Sequence, residues 1–162
     1  MKHLRPANHT DDSTLVCVLH PSLHQQDFYA WTQQQADLLK SGSLIDLDTH
    51  YLIEELESMS ASERRELSNR LIVLLAHLLK YRYQPKKRSK SWILTIKEQR
   101  VRVSLLLKQS PSLQSQLADR FTEAYEVAII SAARETGLPE STFPNELPFT
   151  LEQALDNTFL PQ

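Results

Sequence analysis

Only two glycines, Gly42 and Gly137, occur in 162 residues. Glycine supplies the positive-φ positions that tight turns need, and an all-β domain needs a turn about every 8–12 residues. Two glycines cannot serve so many hairpins, so the chain is expected to consist of a few long helices. The share of apolar residues, 41% against 23% charged, is that of an ordinary folded domain with one core.

Several classes are excluded at once. Cys17 is the sole cysteine, which rules out an intrachain disulfide and a cysteine-based zinc site. The longest apolar run, Leu71 to Leu79, contains His77 and falls far short of the roughly 20 residues of a membrane span. Lys2 and Arg5 precede an apolar segment, Leu15–Leu19, too short for a secretory signal. A cytoplasmic protein without a membrane partner is the expectation.

Residues 1–24 hold four of the six histidines (His3, His9, His20, His24), two prolines and no helical period, and read as a loosely ordered extension. Leu15–Leu19 is a candidate short strand or docked segment within it. The irregular histidine spacing, without acidic or cysteine partners, does not describe a metal site. The remainder, 25–162, is read as one helical bundle domain.

From Asp27 the period becomes helical. Phe28, Trp31, Gln35, Leu38 and Leu39 share a stripe that ends at Gly42, suited to a left-handed helix terminus. Asp48 can cap a second helix with Leu52, Ile53, Leu56 and Met59 inward. Ser60-Ala61-Ser62-Glu63 reads as a capping box opening a third helix, which Pro85 ends near Tyr83. That helix is apolar nearly all round at Leu71–Leu79 and should be the central pillar. Ser89 or Ser91 starts a fourth helix through Trp92, Ile96, Gln99, Val103 and Leu106. Ser110-Pro111 opens a fifth, with Leu113, Leu117, Phe121, Ala124 and Ala128 inward, closing at Gly137. Thr150-Leu151-Glu152-Gln153 is a second capping box, for a short last helix. The expected fold is all-α: a single-domain bundle of five main helices plus a short C-terminal helix, the third central.

These residues resemble a known family. The segment Asp27-Phe28-Tyr29-Ala30-Trp31-Thr32-Gln33-Gln34-Gln35-Ala36 is similar to the opening of the bacterial domain-of-unknown-function family 29. Further blocks follow in order: Glu54-Glu55-Leu56-Glu57-Ser58-Met59, Ser62-Glu63-Arg64-Arg65-Glu66-Leu67, His77-Leu78-Leu79-Lys80, Tyr83-Gln84-Pro85, Ser91-Trp92, Glu98-Gln99-Arg100, Ser110-Pro111-Ser112-Leu113 and Glu135-Thr136-Gly137-Leu138. The likeness runs from about Asp27 to Pro161. Ser60 stands where the family pattern usually has glycine. The resemblance implies a compact bacterial helical protein and no assigned activity.

Three polar residues fall on apolar stripes: Gln35, His77 and Gln99. A buried polar group without a partner costs about 1–3 kcal/mol, so they are expected to form a buried polar network or, in the alternative reading, a polar pocket with Glu54, Glu55 or Glu57. An enzyme using His77 as base is the third-ranked reading. Glu-x-x-His pairs, His-Glu-x-x-His, a P-loop and Gly-x-Ser-x-Gly are all missing from the sequence, so no catalytic, cofactor or metal residue is assigned and an enzyme is not the preferred reading.

Charge is laid out unevenly. Ten basic residues between Lys80 and Lys108 face one acid, Glu98, giving that segment +9, while the rest carries 8 basic and 19 acidic residues. Lys80, Arg82, Lys86, Lys87, Arg88 and Lys90 are candidate anion or nucleic-acid contacts, with Tyr81, Tyr83 and Trp92 interleaved. The first reading is a non-enzymatic interaction module that binds a protein partner or itself. Binding of nucleic acid or another polyanion through Lys80–Lys90 is the alternative.

Overall fold

The computed structural model describes residues 22–162. Leu15–Leu19, Cys17 and the histidines His3, His9 and His20 lie outside the described residues. Within them the regular structure is entirely helical, in line with the scarcity of glycine. No described helix is long and apolar enough to cross a membrane. The chain divides into two units, one ending at Ile53 and the other spanning Glu54–Gln162.

The first unit holds α1 (Leu23–Gln26), α2 (Phe28–Ser41), a 3-10 turn at Leu44–Asp46 and the first residues of α3 (Thr49–Tyr83). Asp27 starts α2 by accepting the Ala30 N–H at 2.9 Å. Gly42 ends it at φ 73°, with the Gly42 N–H on the Leu39 carbonyl and the Ser43 N–H on that of Leu38. Trp31 is buried and donates its indole N–H to Asp48 Oδ2 at 3.3 Å. Around it His24 stacks on Tyr51 at 4.1 Å and meets the Trp31 ring edge-on at 4.6 Å. Phe28 and Leu39, placed on the inner stripe by periodicity, are exposed instead.

The helix α3 corrects the sequence reading. It runs unbroken for 35 residues, so the expected second and third helices are one. The segment Ser60–Glu63 does not form a capping box: Ser60 Oγ accepts from Arg64 one turn on, at 3.0 Å. The physical reason is local. Serine within a helix costs well under about 1 kcal/mol, and no glycine or proline intervenes to break the backbone ladder. Ile53, Leu56 and Met59, expected to point inward, are exposed.

In the second unit the later half of α3 is the pillar of the bundle. Leu67, Leu71, Leu74, Leu75, Leu78 and Leu79 are fully buried there. They pack in one core with Ile96 and Val103 of α4 (Lys90–Gln109) and Phe121, Ala124, Ala128 and Ala132 of α5 (Leu117–Thr136). Each such leucine contributes about 1.5–3 kcal/mol by leaving water. Ser89 caps α4 through the Trp92 N–H at 3.3 Å. The stretch expected as one helix from Ser110 begins as a 3-10 segment, Pro111–Gln116, and Ser110 donates to Glu63 rather than capping. Gly137 closes α5 at φ 72°. The C-terminal segment returns over the core through buried Phe143 and Phe149, and α6 (Leu151–Leu155) opens with the Thr150–Gln153 capping box.

Candidate functional site

Three arginines of the basic segment are occupied by the chain itself. Arg82 donates to the Pro148 carbonyl at 3.3 Å and lies over the Tyr83 and Phe149 rings. Arg88 donates to the carbonyls of Tyr81 (2.8 Å) and Pro161 (3.4 Å) and covers the Tyr81 ring at 4.4 Å. Arg100 is buried and donates to the Ala154 and Phe159 carbonyls, both at 2.8 Å. A guanidinium suits this work because its planar fork reaches two carbonyls while its face covers an aromatic ring. Together they fasten the C-terminal segment to α3 and α4.

Lys80 is occupied as well. Its Nζ is buried, 2.5 Å from Glu135 Oε2, 3.5 Å from His77 Nε2 and 4.8 Å from the centre of the Trp92 ring. The Lys80 ammonium beside Glu135 holds that carboxyl below its usual range against the opposing effect of burial. Lys86, Lys87 and Lys90 are exposed, as are Arg82 and Arg88 beside the carbonyls they hold, so of the six candidate contacts Lys80 is the one that is buried. Lys86 and Lys87 border a pocket of about 300 Å³ with Tyr83, Gln84 and Pro85. Tyr83 meets Phe143 edge-on at 5.3 Å and Tyr81 lies under Arg88, which leaves neither ring open on both faces for stacking.

Gln35, in the first unit, accepts the Asp48 N–H at 2.8 Å and so fixes the turn into α3. His77, half-buried in the second unit, donates from Nδ1 to the Val73 carbonyl of its own helix at 2.9 Å. That tautomer turns the Nε2 lone pair toward Lys80. Burial pushes the His77 pKa below its ordinary value; the Val73 bond opposes this, Lys80 reinforces it and Glu135 opposes it. Gln99 is buried with no partner for Oε1 among the described residues. Chemically, His77 has both nitrogens engaged and Lys80 is held by a carboxylate, so neither offers a free base or nucleophile. Among the described residues no group of three or more His, Cys, Asp or Glu is arranged to hold a metal ion.

Apolar surface is open as well. Leu56 (63% exposed) and Met59 (64%) lie one turn apart on α3 and extend upstream from the stripe that Leu67, Leu71 and Leu74 bury. On α4, Leu94, Val101 and Leu105 form a second exposed stripe at seven- and four-residue spacing. Val101 and Leu105 edge a groove of about 630 Å³ that also takes in Leu107, Leu117, Leu155 and Lys108. Single exposed leucines are normal, but rows on helix faces are where partners bind. The sequence reading placed the α3 row inside and gave the α4 row no role. A helical plot of α4 would have found the second, because Leu94, Val101 and Leu105 lie opposite Ile96, Gln99 and Val103.

A family model described as Domain of unknown function DUF29 matches residues 23–160, against the likeness read from about Asp27 to Pro161 in the sequence blocks. Comparison with curated proteins and with solved structures gave no match.

Proposed function

The chain belongs to the DUF29 family, whose description carries no activity, and from that premise we propose that it is a non-enzymatic helical interaction module of the bacterial cytoplasm. The observation that carries the reading is the exposed pair Leu56 and Met59 on α3. Methionine adapts its shape to a partner at little cost, which suits a binding face. The occupied state of Lys80 and His77 supports the same reading, since the most elaborate polar cluster binds the fold together and leaves no reactive group. A photo-reactive phenylalanine placed at position 56 in living cells should give a covalent protein adduct. The same residue at exposed Thr122 on α5 should give none. Absence of any adduct from position 56, in a chain of unchanged helicity, overturns the reading.

A further inference from the structure

We propose that the groove beside α4 binds a small organic anion, a carboxylate carrying an aliphatic body, with Arg100 as its anchor. This site is separate from the α3 face and does not depend on it. The groove, about 630 Å³, has the volume of pockets that enclose a small molecule. Every residue lining it belongs to the second unit. Arg100, Ser104 and Lys108 line it at four-residue spacing, so they follow one another on successive turns of α4. Val103, Leu107, Leu117 and Leu155 give it apolar wall, and no acidic residue lines it.

The feature that points to a ligand is Arg100. It is 3% exposed, yet no ion pair joins it to a carboxylate among the described residues. A buried cation ordinarily has an acid against it, because desolvation penalises the lone charge. Burial accordingly pulls the Arg100 pKa down, and the charge of Asp156 opposes this only in part. Asp156 Oδ1 is itself taken by the Thr158 N–H and hydroxyl, both at 2.8 Å. The Ala154 and Phe159 carbonyls use Nε and one proton of Nη2. Nη1 makes no hydrogen bond among the described residues, and it is not one of the unpartnered atoms sealed away from solvent. With the second Nη2 proton it forms the outer edge of the guanidinium, a parallel pair of donors that fits the two oxygens of a carboxylate. Lys108, exposed, adds a second positive charge roughly 12 Å further along the helix, which draws anions toward the groove. A neutral ligand would leave Arg100 uncompensated, and a bare inorganic anion would leave the apolar wall wet.

Sodium octanoate, with 1-octanol as the uncharged probe of equal chain length, tests this by amide NMR on the isotope-labelled full chain. Octanoate should give saturable shifts centred on residues 100–108, 114 and 155–157. Octanol should bind at least roughly tenfold more weakly, as the loss of a charge-assisted hydrogen bond implies. Arg100→Gln should bring octanoate down to the affinity of octanol. Because Arg100 also holds the C-terminal segment, Ser104→Trp provides a second variant. It fills the groove from an exposed position, so the chain should keep its melting temperature while octanoate binding weakens at least roughly tenfold. Non-saturable shifts with octanoate, octanol binding as tightly as octanoate, or Ser104→Trp retaining full affinity would each overturn the proposal. Inorganic phosphate that reproduces the octanoate shifts at the same concentrations would overturn it too, since the apolar wall would then play no part.

Discussion

Glu135→Ala and Lys80→Met remove opposite ends of one ion pair, yet they should differ in cost. The side chain of Lys80 is 6% exposed and that of Glu135 is 41% exposed. Removing Glu135 leaves an ammonium in the bundle, and stranding a buried charge costs about 3–5 kcal/mol. The Trp92 face, 4.8 Å from Nζ, keeps about 0.5–2 kcal/mol of compensation in place. Taking an acid away from the last turn of α5 recovers a further 0.3–1 kcal/mol or so. The net loss for Glu135→Ala should be about 2 kcal/mol. Lys80→Met keeps the packing of the stem and leaves a carboxylate that water can reach, so its loss should stay within about 1 kcal/mol. Urea unfolding followed by circular dichroism at pH 7, on both variants and the double variant, measures the difference. Equal losses, or a larger one for Lys80→Met, would refute the asymmetry and the view that Glu135 serves to neutralise a trapped cation.

Leu74→Ala or Leu75→Ala should cost about 2–5 kcal/mol in the same assay, since both are fully buried; a loss below about 0.5 kcal/mol for both would place that helix outside the core. Stability should fall in acid in two stages. His77 has a lowered folded pKa, so its contribution is complete above 6.5 and is lost as pH falls through the folded value; that of Glu135 is complete above 4.5 and is lost at lower pH still. His77→Gln should abolish the first stage alone, as read from urea midpoints against pH. Gln99→Met should raise stability by about 1 kcal/mol by removing a buried carbonyl oxygen that lacks a partner, and a drop of that size would show Oε1 to be satisfied. If Lys86, Lys87 and Lys90 bind a polyanion, log K against log salt should slope at about −2 to −3, three contacts at 0.7–0.9 each, and alanine at all three should flatten it. Oligonucleotide filter binding that shows no retention at low salt would retire that reading.

The elements most legible in the sequence were those fixed by neighbours in the chain. Asp27, Ser89, Thr150, Gly42 and Gly137 all act at helix ends as their local patterns indicate, because a cap is decided within three or four residues. The pillar was equally plain, since a helix apolar on every side must have neighbours on every side. The join at Ser60 was misread because a capping box and a mid-helix serine look alike until tertiary packing chooses between them. The long-range partners were out of reach. Nothing in local pattern says that Lys80 will find Glu135, 55 residues on, or that Arg100 will find the Ala154 carbonyl, 54 residues on. The basic segment therefore looked like six open charges when three of the six were committed within the fold.

The arginine fastening of the C-terminal segment also sets an order of events during synthesis. The carbonyl that receives Arg82 lies 66 residues later and the one that receives Arg88 lies 73 residues later. At translation speeds of about 5–20 residues per second, several seconds separate the making of each arginine from the making of its acceptor. Through that interval the core faces that Phe143 and Phe149 will close are still open. The segment from Phe143 onward thus converts a half-closed intermediate into the closed bundle. A chain stalled before Phe143 should accordingly bind an apolar-surface dye more strongly than the 162-residue chain.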